Sequence, residues 1–257
     1  MKLIDTHCHL DLEPLVQHLP RTVEDATVAG LAGFVVPGVH PDNWGKISLL
    51  ATEYAQIFPA FGIHPMHAAC VDDQVLAELA DSTRQGIAIG ETGLDPTCAV
   101  PMETQETAFR EQIRLAVRVG LPLIIHCRKA FNRTLQVMRE ERANLVGGIM
   151  HAFSGSLEMS REFIRLGFGI SISGTITWPN AVKPLRLAVE TALEHLVLET
   201  DAPDMTPQKY RGRFNRPAWM LETAMRLADI KGVTPEELAR VTTDNARRFL
   251  WLDGKQV

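Results

Sequence analysis

The chain has 257 residues, of which 46% are hydrophobic and 22% charged, and its formal net charge is −5. That length buries a sizeable core, and the acidic balance provides no global basic field to hold nucleic acid nonspecifically. No run approaches the roughly eighteen apolar residues of a membrane span. Met1–Asp5 lacks the apolar core of a signal peptide. The four cysteines (Cys8, Cys70, Cys98 and Cys127) form no CxxC pair and no disulfide-scaffold spacing. The expectation is a cytoplasmic protein with no membrane association and no obligate protein partner.

In chain order, apolar runs of strand length fall at Leu3-Ile4, Gly33–Val36, Pro59–Ile63, Ile87–Gly90, Leu123–Ile125, Val146–Met150, Phe168–Ile172 and Leu196–Leu198. Most are continuously apolar, as parallel strands covered by helices are. Helical spacing predicts helices between them, including Glu103–Val119, stopped by Gly120 and Pro122, and Ser156–Leu166. Thr234-Pro235-Glu236-Glu237 reads as an N-cap, a first-position proline and an acidic first turn. Eight strand–helix units in this length fit an α/β fold, a (β/α)8 TIM barrel, as a single domain over 1–257. A doubly wound open sheet is the competing architecture and usually needs fewer strands.

Barrel enzymes place their chemistry at the C-terminal ends of strands. His7 and His9 end the first run, His64 the third, Glu91 the fourth, His126 the fifth, His151 the sixth and Asp201 the eighth. Strand alternation predicts that Asp5, His7 and His9 share one face, with Cys8 pointing away, as Cys127 points away from His126. Four imidazoles and two carboxylates exceed the needs of one catalytic zinc and suit a pair of divalent ions. His7, His9, Glu91, His126, His151 and Asp201 are therefore the expected metal ligands, with Glu91 as the bridge. Zn²⁺, Mg²⁺ and Mn²⁺ all fit such donors. The ion pair would activate a hydroxide, lowering the pKa of bound water from about 15.7 towards about 7.

The segments Ile4–His9, Gly62–Pro65, Gly90–Asp95, His126–Arg128, His151–Gly155 and Glu199–Pro203 together resemble the TatD-like metal-dependent hydrolases of the amidohydrolase superfamily. Asn215–Pro217 and Thr243–Ala246 extend the match, and Gly174–Pro179 is most similar to the YjjV-type branch. Thr92 and Pro96 depart from the residue types usual around the acidic motif. The resemblance implies a (β/α)8 barrel, hydrolysis of phosphoester bonds and, in some members, deoxyribonuclease activity. By position it makes His7, His9, Glu91, His126, His151 and Asp201 metal ligands and turns His64 towards substrate.

Asp201 is also the candidate catalytic proton acceptor, with His64 assisting the leaving group. Arg128 and His64 are candidate substrate contacts; a guanidinium at the start of a βα loop can clamp phosphate oxygens. Lys209, Arg211, Arg213 and Arg216 form a basic patch that could hold a nucleic-acid backbone, and Trp178 and Phe214 could stack on bases. The expected substrate is a phosphodiester such as a DNA or RNA end. The alternatives are a C–N or lactone hydrolase on the same site, or a binding protein that keeps its metals without turnover.

Overall fold

Each of the eight apolar runs forms a strand in the computed structural model, which describes residues 1–252. The strands are β1 (Leu3–Asp5), β2 (Leu31–Pro37), β3 (Ile57–Phe61), β4 (Ala88–Leu94), β5 (Leu123–Cys127), β6 (Gly148–Met150), β7 (Phe168–Ile172) and β8 (Leu196–Leu198). All seven neighbouring pairs are parallel, in the order β1 to β8. The remaining seam is stitched where the Thr6 N–H donates to the Leu198 carbonyl at 3.0 Å. The result is a nearly closed (β/α)8 barrel. Residues 253–257 of the expected 1–257 domain lie outside the described residues.

Nine α-helices among the described residues cover the barrel: α1 (Leu19–Val28), α2 (Pro41–Glu53), α3 (Asp73–Ser82), α4 (Met102–Val119), α5 (Phe131–Glu140), α6 (Leu157–Arg165), α7 (Val182–Glu190), α8 (Met220–Lys231) and α9 (Pro235–Phe249). Their ends follow the expected local chemistry. Gly120 closes α4 in the left-handed conformation at φ 70°. The Ser156 side chain caps α6 by accepting from Met159 N, and Thr234 caps α9 by accepting from Glu237 N. No helix among the described residues is long and apolar enough to cross a membrane.

Two apolar layers result. Most of the core lies between strands and helices, where Phe34, Phe61, Phe109, Phe163 and Phe168 are fully buried. A smaller cluster fills the barrel itself with Ile4, Val35, Phe58, Ala60, Ala88, Ile124, Ile149 and Val197, and Phe249, Leu250 and Leu252 close its floor. Gly169 on β7 makes that closure possible, because a Cβ there would sit 2.6 Å from the Phe249 ring. The floor is thus apolar and sealed, and polar chemistry is confined to the opposite mouth.

Candidate metal centre

Four strand ends deliver the donors, by two different routes. On β5 and β6 the alternation that turns Ile124 and Ile149 inward also turns His126 and His151 inward, while Asp201 enters the mouth three residues past β8, its backbone in the left-handed region at φ 54°. On β1 the same rule fails. With Ile4 inside, an unbroken strand would direct Thr6 and Cys8 inward and the histidines outward. The strand instead stops at Asp5, whose carboxylate accepts from His7 N at 3.3 Å, and the turn that follows swings His7 and His9 into the mouth. Asp5 itself does not join them. It accepts from Thr200 N at 2.9 Å and Thr200 Oγ1 at 2.5 Å, fastening β1 to the segment after β8. Burial pushes its carboxyl up to about 7 against these hydrogen bonds.

Glu91 does not end its strand as the sequence suggests. It lies inside β4, which runs on to Leu94 beyond a register shift between Ile89 and Thr92. That irregularity reverses the alternation and aims Glu91 inward. Gly90 (φ 154°) and Gly93 (φ 152°) make room for it, since a Cβ on Gly90 would lie 2.5 Å from the Ile124 carbonyl oxygen.

The two Glu91 oxygens face different donors. Oε2 is 3.2 Å from His7 Nε2 and 3.9 Å from His9 Nε2. Oε1 is 2.8 Å from His126 Nδ1, 3.7 Å from His64 Nε2 and 3.8 Å from His151 Nε2. Asp201 Oδ1 adds contacts of 3.9, 3.7 and 3.6 Å to His7, His9 and His151. Three groups of side chains converge closely enough to meet at an ion: His7, His9 and Asp201; His7, Glu91 and His151; and His64, Glu91 and His126, although His64 Nδ1 is taken up by Met66 N. Metal bonds of about 2.0–2.2 Å set neighbouring donors roughly 3 Å apart, so these spacings suit ligands around divalent ions.

The charge balance fits as well. Burial, with His151 beside it, lowers His7 to about 3, leaving a neutral imidazole. Burial would raise Glu91, but His7, His151 and His64 hold it well below the usual carboxylate range. Burial drives Asp201 well above that range, and Glu199, Glu91 and Asp204 push it further while His151 opposes. The mouth therefore concentrates carboxylates in a desolvated space, a condition that divalent cations relieve.

Supporting residues that the sequence reading did not single out fix the rings. The Glu199 carboxylate lies 2.8 Å from His151 Nδ1 and also accepts from Ala152 N at 2.8 Å. Burial raises Glu199, but His151 outweighs it and keeps the group ionised; His151 is in turn raised to about 10 by Glu199, Asp201 and Glu91 against its own burial. Asp95 Oδ2 sits 3.4 Å from His126 Nε2, and its other oxygen accepts from Thr97 N and Oγ1. Period-two spacing could have found Glu199, which shares the inward face of Val197.

His64 lies three residues beyond β3 and points into the cluster. Its Nδ1 accepts from Met66 N at 3.1 Å, so the neutral ring carries its proton on Nε2. Burial lowers its pKa to about 4, which keeps that form at neutral pH. Arg128, just past β5, is exposed and pairs with no carboxylate among the described residues. Cys8 and Cys127 stay apart from the cluster. Cys8 Sγ donates to the Val35 carbonyl, and Cys127, pushed up to about 12 by burial, donates to Thr134 Oγ1.

The model of the TatD-related DNase family matches residues 4–251. The metal-dependent hydrolase YabD of Bacillus subtilis is 37% identical over 250 residues, 96% of this chain and 98% of that protein. Among solved structures, the TatD homologue YJJV of Escherichia coli superposes with a TM-score of 0.91 at 31% identity, covering 96% of this chain and 97% of that one. A TatD-family hydrolase of Entamoeba histolytica shares the fold with a TM-score of 0.86 at 20% identity, covering 97% and 98%. The chain belongs to the TatD-related DNase family of metal-dependent hydrolases.

Proposed function

We propose that this chain is a phosphodiesterase of the nuclease type, acting on DNA or RNA ends with two divalent ions (Zn²⁺, Mg²⁺ or Mn²⁺). The observation that carries this reading is the division of Glu91, one oxygen towards His7 and His9 and the other towards His126 and His151. His7, His9 and Asp201 would hold one ion and His126 the other, with Glu91 between them and His151 within reach of both sets. When bound, such ions lower the pKa of water and offset charge developing on phosphate oxygens.

The protein's own groups supply the remainder. Asp201 is the acid most open to the mouth, with 13% of its side chain exposed against 4% for Glu91 and none for Glu199. It is placed to take the proton of the attacking water and return it to the leaving oxygen. His64 presents Nε2–H as a donor to a substrate oxygen. Arg128 is free to grip non-bridging oxygens at the rim.

A nucleic-acid substrate is supported by a groove of about 560 Å³ between the β1 and β8 loops. His18, Arg21, Arg213 and Arg216 line it beside Trp219 and the exposed Phe214, and its described lining holds no carboxylate. Arg216 follows Asn215, whose side chain donates to the Thr200 carbonyl next to Asp201. Local cations and rings thus gather in one groove of an otherwise acidic protein.

The test is reconstitution with Mg²⁺, Mn²⁺ or Zn²⁺, followed by single-stranded DNA, a generic phosphodiester and a panel of amides and lactones. Phosphodiester cleavage that Asp201→Asn abolishes is expected. Cleavage confined to C–N or lactone bonds overturns the phosphodiesterase reading. Two bound metals with no turnover on any substrate point instead to a binding protein.

A further inference from the structure

A second hollow opens on the mouth side of the barrel. It measures about 310 Å³ and is walled by the loops that follow β6, β7 and β8. β7 contributes no charged side chain to the mouth; it ends in Ser171-Ile172, and these residues and the Ser173 that follows form part of the wall. Its wall is hydrogen-bonded to a residue that supports the metal centre. Ala152, in its wall, donates its N–H to Glu199, and Glu199 N donates to the carbonyl of Ile172, also in the wall. Glu199 in turn holds His151.

The lining is mainly apolar, with Phe153, Ile176, Trp178, Pro184 and Leu187 around it. Ser154, Ser171, Ser173, Thr175 and Asn180 supply its polar groups, the hydroxyls of Ser173 and Thr175 lying 3.0 Å apart. The shape is held from outside. Trp178 Nε1 donates to the Thr206 carbonyl at 2.9 Å, and Gln208 N donates to Thr177 Oγ1 at 2.8 Å, tying the β7 loop to the β8 loop. Gly174 lets the two loops meet, since a Cβ there would lie 2.6 Å from the Met205 carbonyl oxygen. Arg211 stacks over the Trp178 ring at 5.0 Å and leaves a cation at the edge. A preformed apolar cavity with a few convergent polar groups is the usual form of a small-ligand site.

We propose that this hollow is the specificity subsite for a flat apolar ring, an aryl group or nucleobase, carried by the substrate next to its reacting ester. The ring would lie between Trp178 and the aliphatic wall, and the Ser173 and Thr175 hydroxyls would meet polar atoms on its edge. The proposal rests on reading the neighbouring centre as the one that acts on phosphodiesters.

Methyl 4-nitrophenyl phosphate and phenyl 4-nitrophenyl phosphate release the same chromophore, so comparing them isolates the retained group. The metal-loaded protein is expected to favour the phenyl ester by at least tenfold in kcat/KM. Asn180 is exposed on the rim of the hollow, so Asn180→Trp places a ring across its opening. That variant should lose most of the preference, whereas Asn180→Ala, which leaves the rim open, should keep it. Equal kcat/KM for the two esters, or a preference that Asn180→Trp does not move, overturns the subsite. Calorimetric titration with phenyl phosphate and methyl phosphate reads the same preference without turnover. Absence of hydrolysis with tighter phenyl phosphate binding sinks the phosphodiesterase reading and supports the subsite; absence of both sinks the two together.

Discussion

The carboxylate of Glu199 lies 2.8 Å from His151 Nδ1, and both groups are buried. Because Glu199 accepts from Nδ1–H, the other nitrogen is the one presented to Glu91 and Asp201. Partners of this kind fix the tautomer and orientation of a metal-binding ring, and losing one typically costs about 10–100-fold in affinity. Glu199→Gln keeps the volume and removes the charge. Divalent-metal titration of the stripped protein should show a loss of about that size; unchanged affinity would remove Glu199 from the centre.

Glu91→Gln tests the division of labour between the two donor sets. Elemental analysis after dialysis is expected to find at least one ion fewer per chain than in the parent, with turnover reduced more than about 100-fold. Retention of two ions at parental affinity would rule out the bridging role.

Gly93 pairs with His126 where β4 runs beside β5. A Cβ there would lie 1.8 Å from the His126 carbonyl oxygen, and the backbone sits at φ 152°. Gly93→Ala is expected to destabilise the fold by more than about 4 kcal/mol, in the range reserved for strain at special backbone positions. Denaturant unfolding measures it, and a shift below about 1 kcal/mol would show that the strands can separate without penalty.

Away from the mouth, Glu141 joins α4 to the end of α5 by bonding Arg110 at 2.6 Å and Arg114 at 2.8 Å. Arg114 chiefly, and then Arg110, hold its carboxyl below the ordinary glutamate value. A depressed carboxylate contributes stability above its unfolded pKa and loses it as pH falls through the folded one. Glu141→Gln should therefore cost about 0.5–1 kcal/mol at pH 7, a modest figure for partly solvated pairs. The gap between the two proteins should close as the pH drops below about 4. A gap independent of pH would assign the loss to packing instead.

The barrel was legible because continuous apolar runs and helix caps are local signals. Five of the six expected donors also follow from their positions near strand ends, and His126 and His151 follow from strict alternation. The break after Asp5 and the shift inside β4 were not legible, because both depend on partners distant in sequence. Gly38 accepts from Glu91 N, and Thr200 clasps Asp5 across 195 residues. These two departures from alternation bring in His7, His9 and Glu91. The supporting carboxylates escaped notice for a simpler reason: a sequence marks a carboxylate near a strand end but not which ring it holds.

The seam between β1 and β8 has a consequence for how activity arises. Its contacts, Thr6 with Leu198 and Asp5 with Thr200, span 192 and 195 residues, so they carry one of the largest loop-closure costs in the molecule. His7 and His9 stand on one side of that seam and Asp201 on the other. A chain with an open ring holds scattered imidazoles and no centre able to cut, so hydrolytic capacity arrives only with the finished barrel.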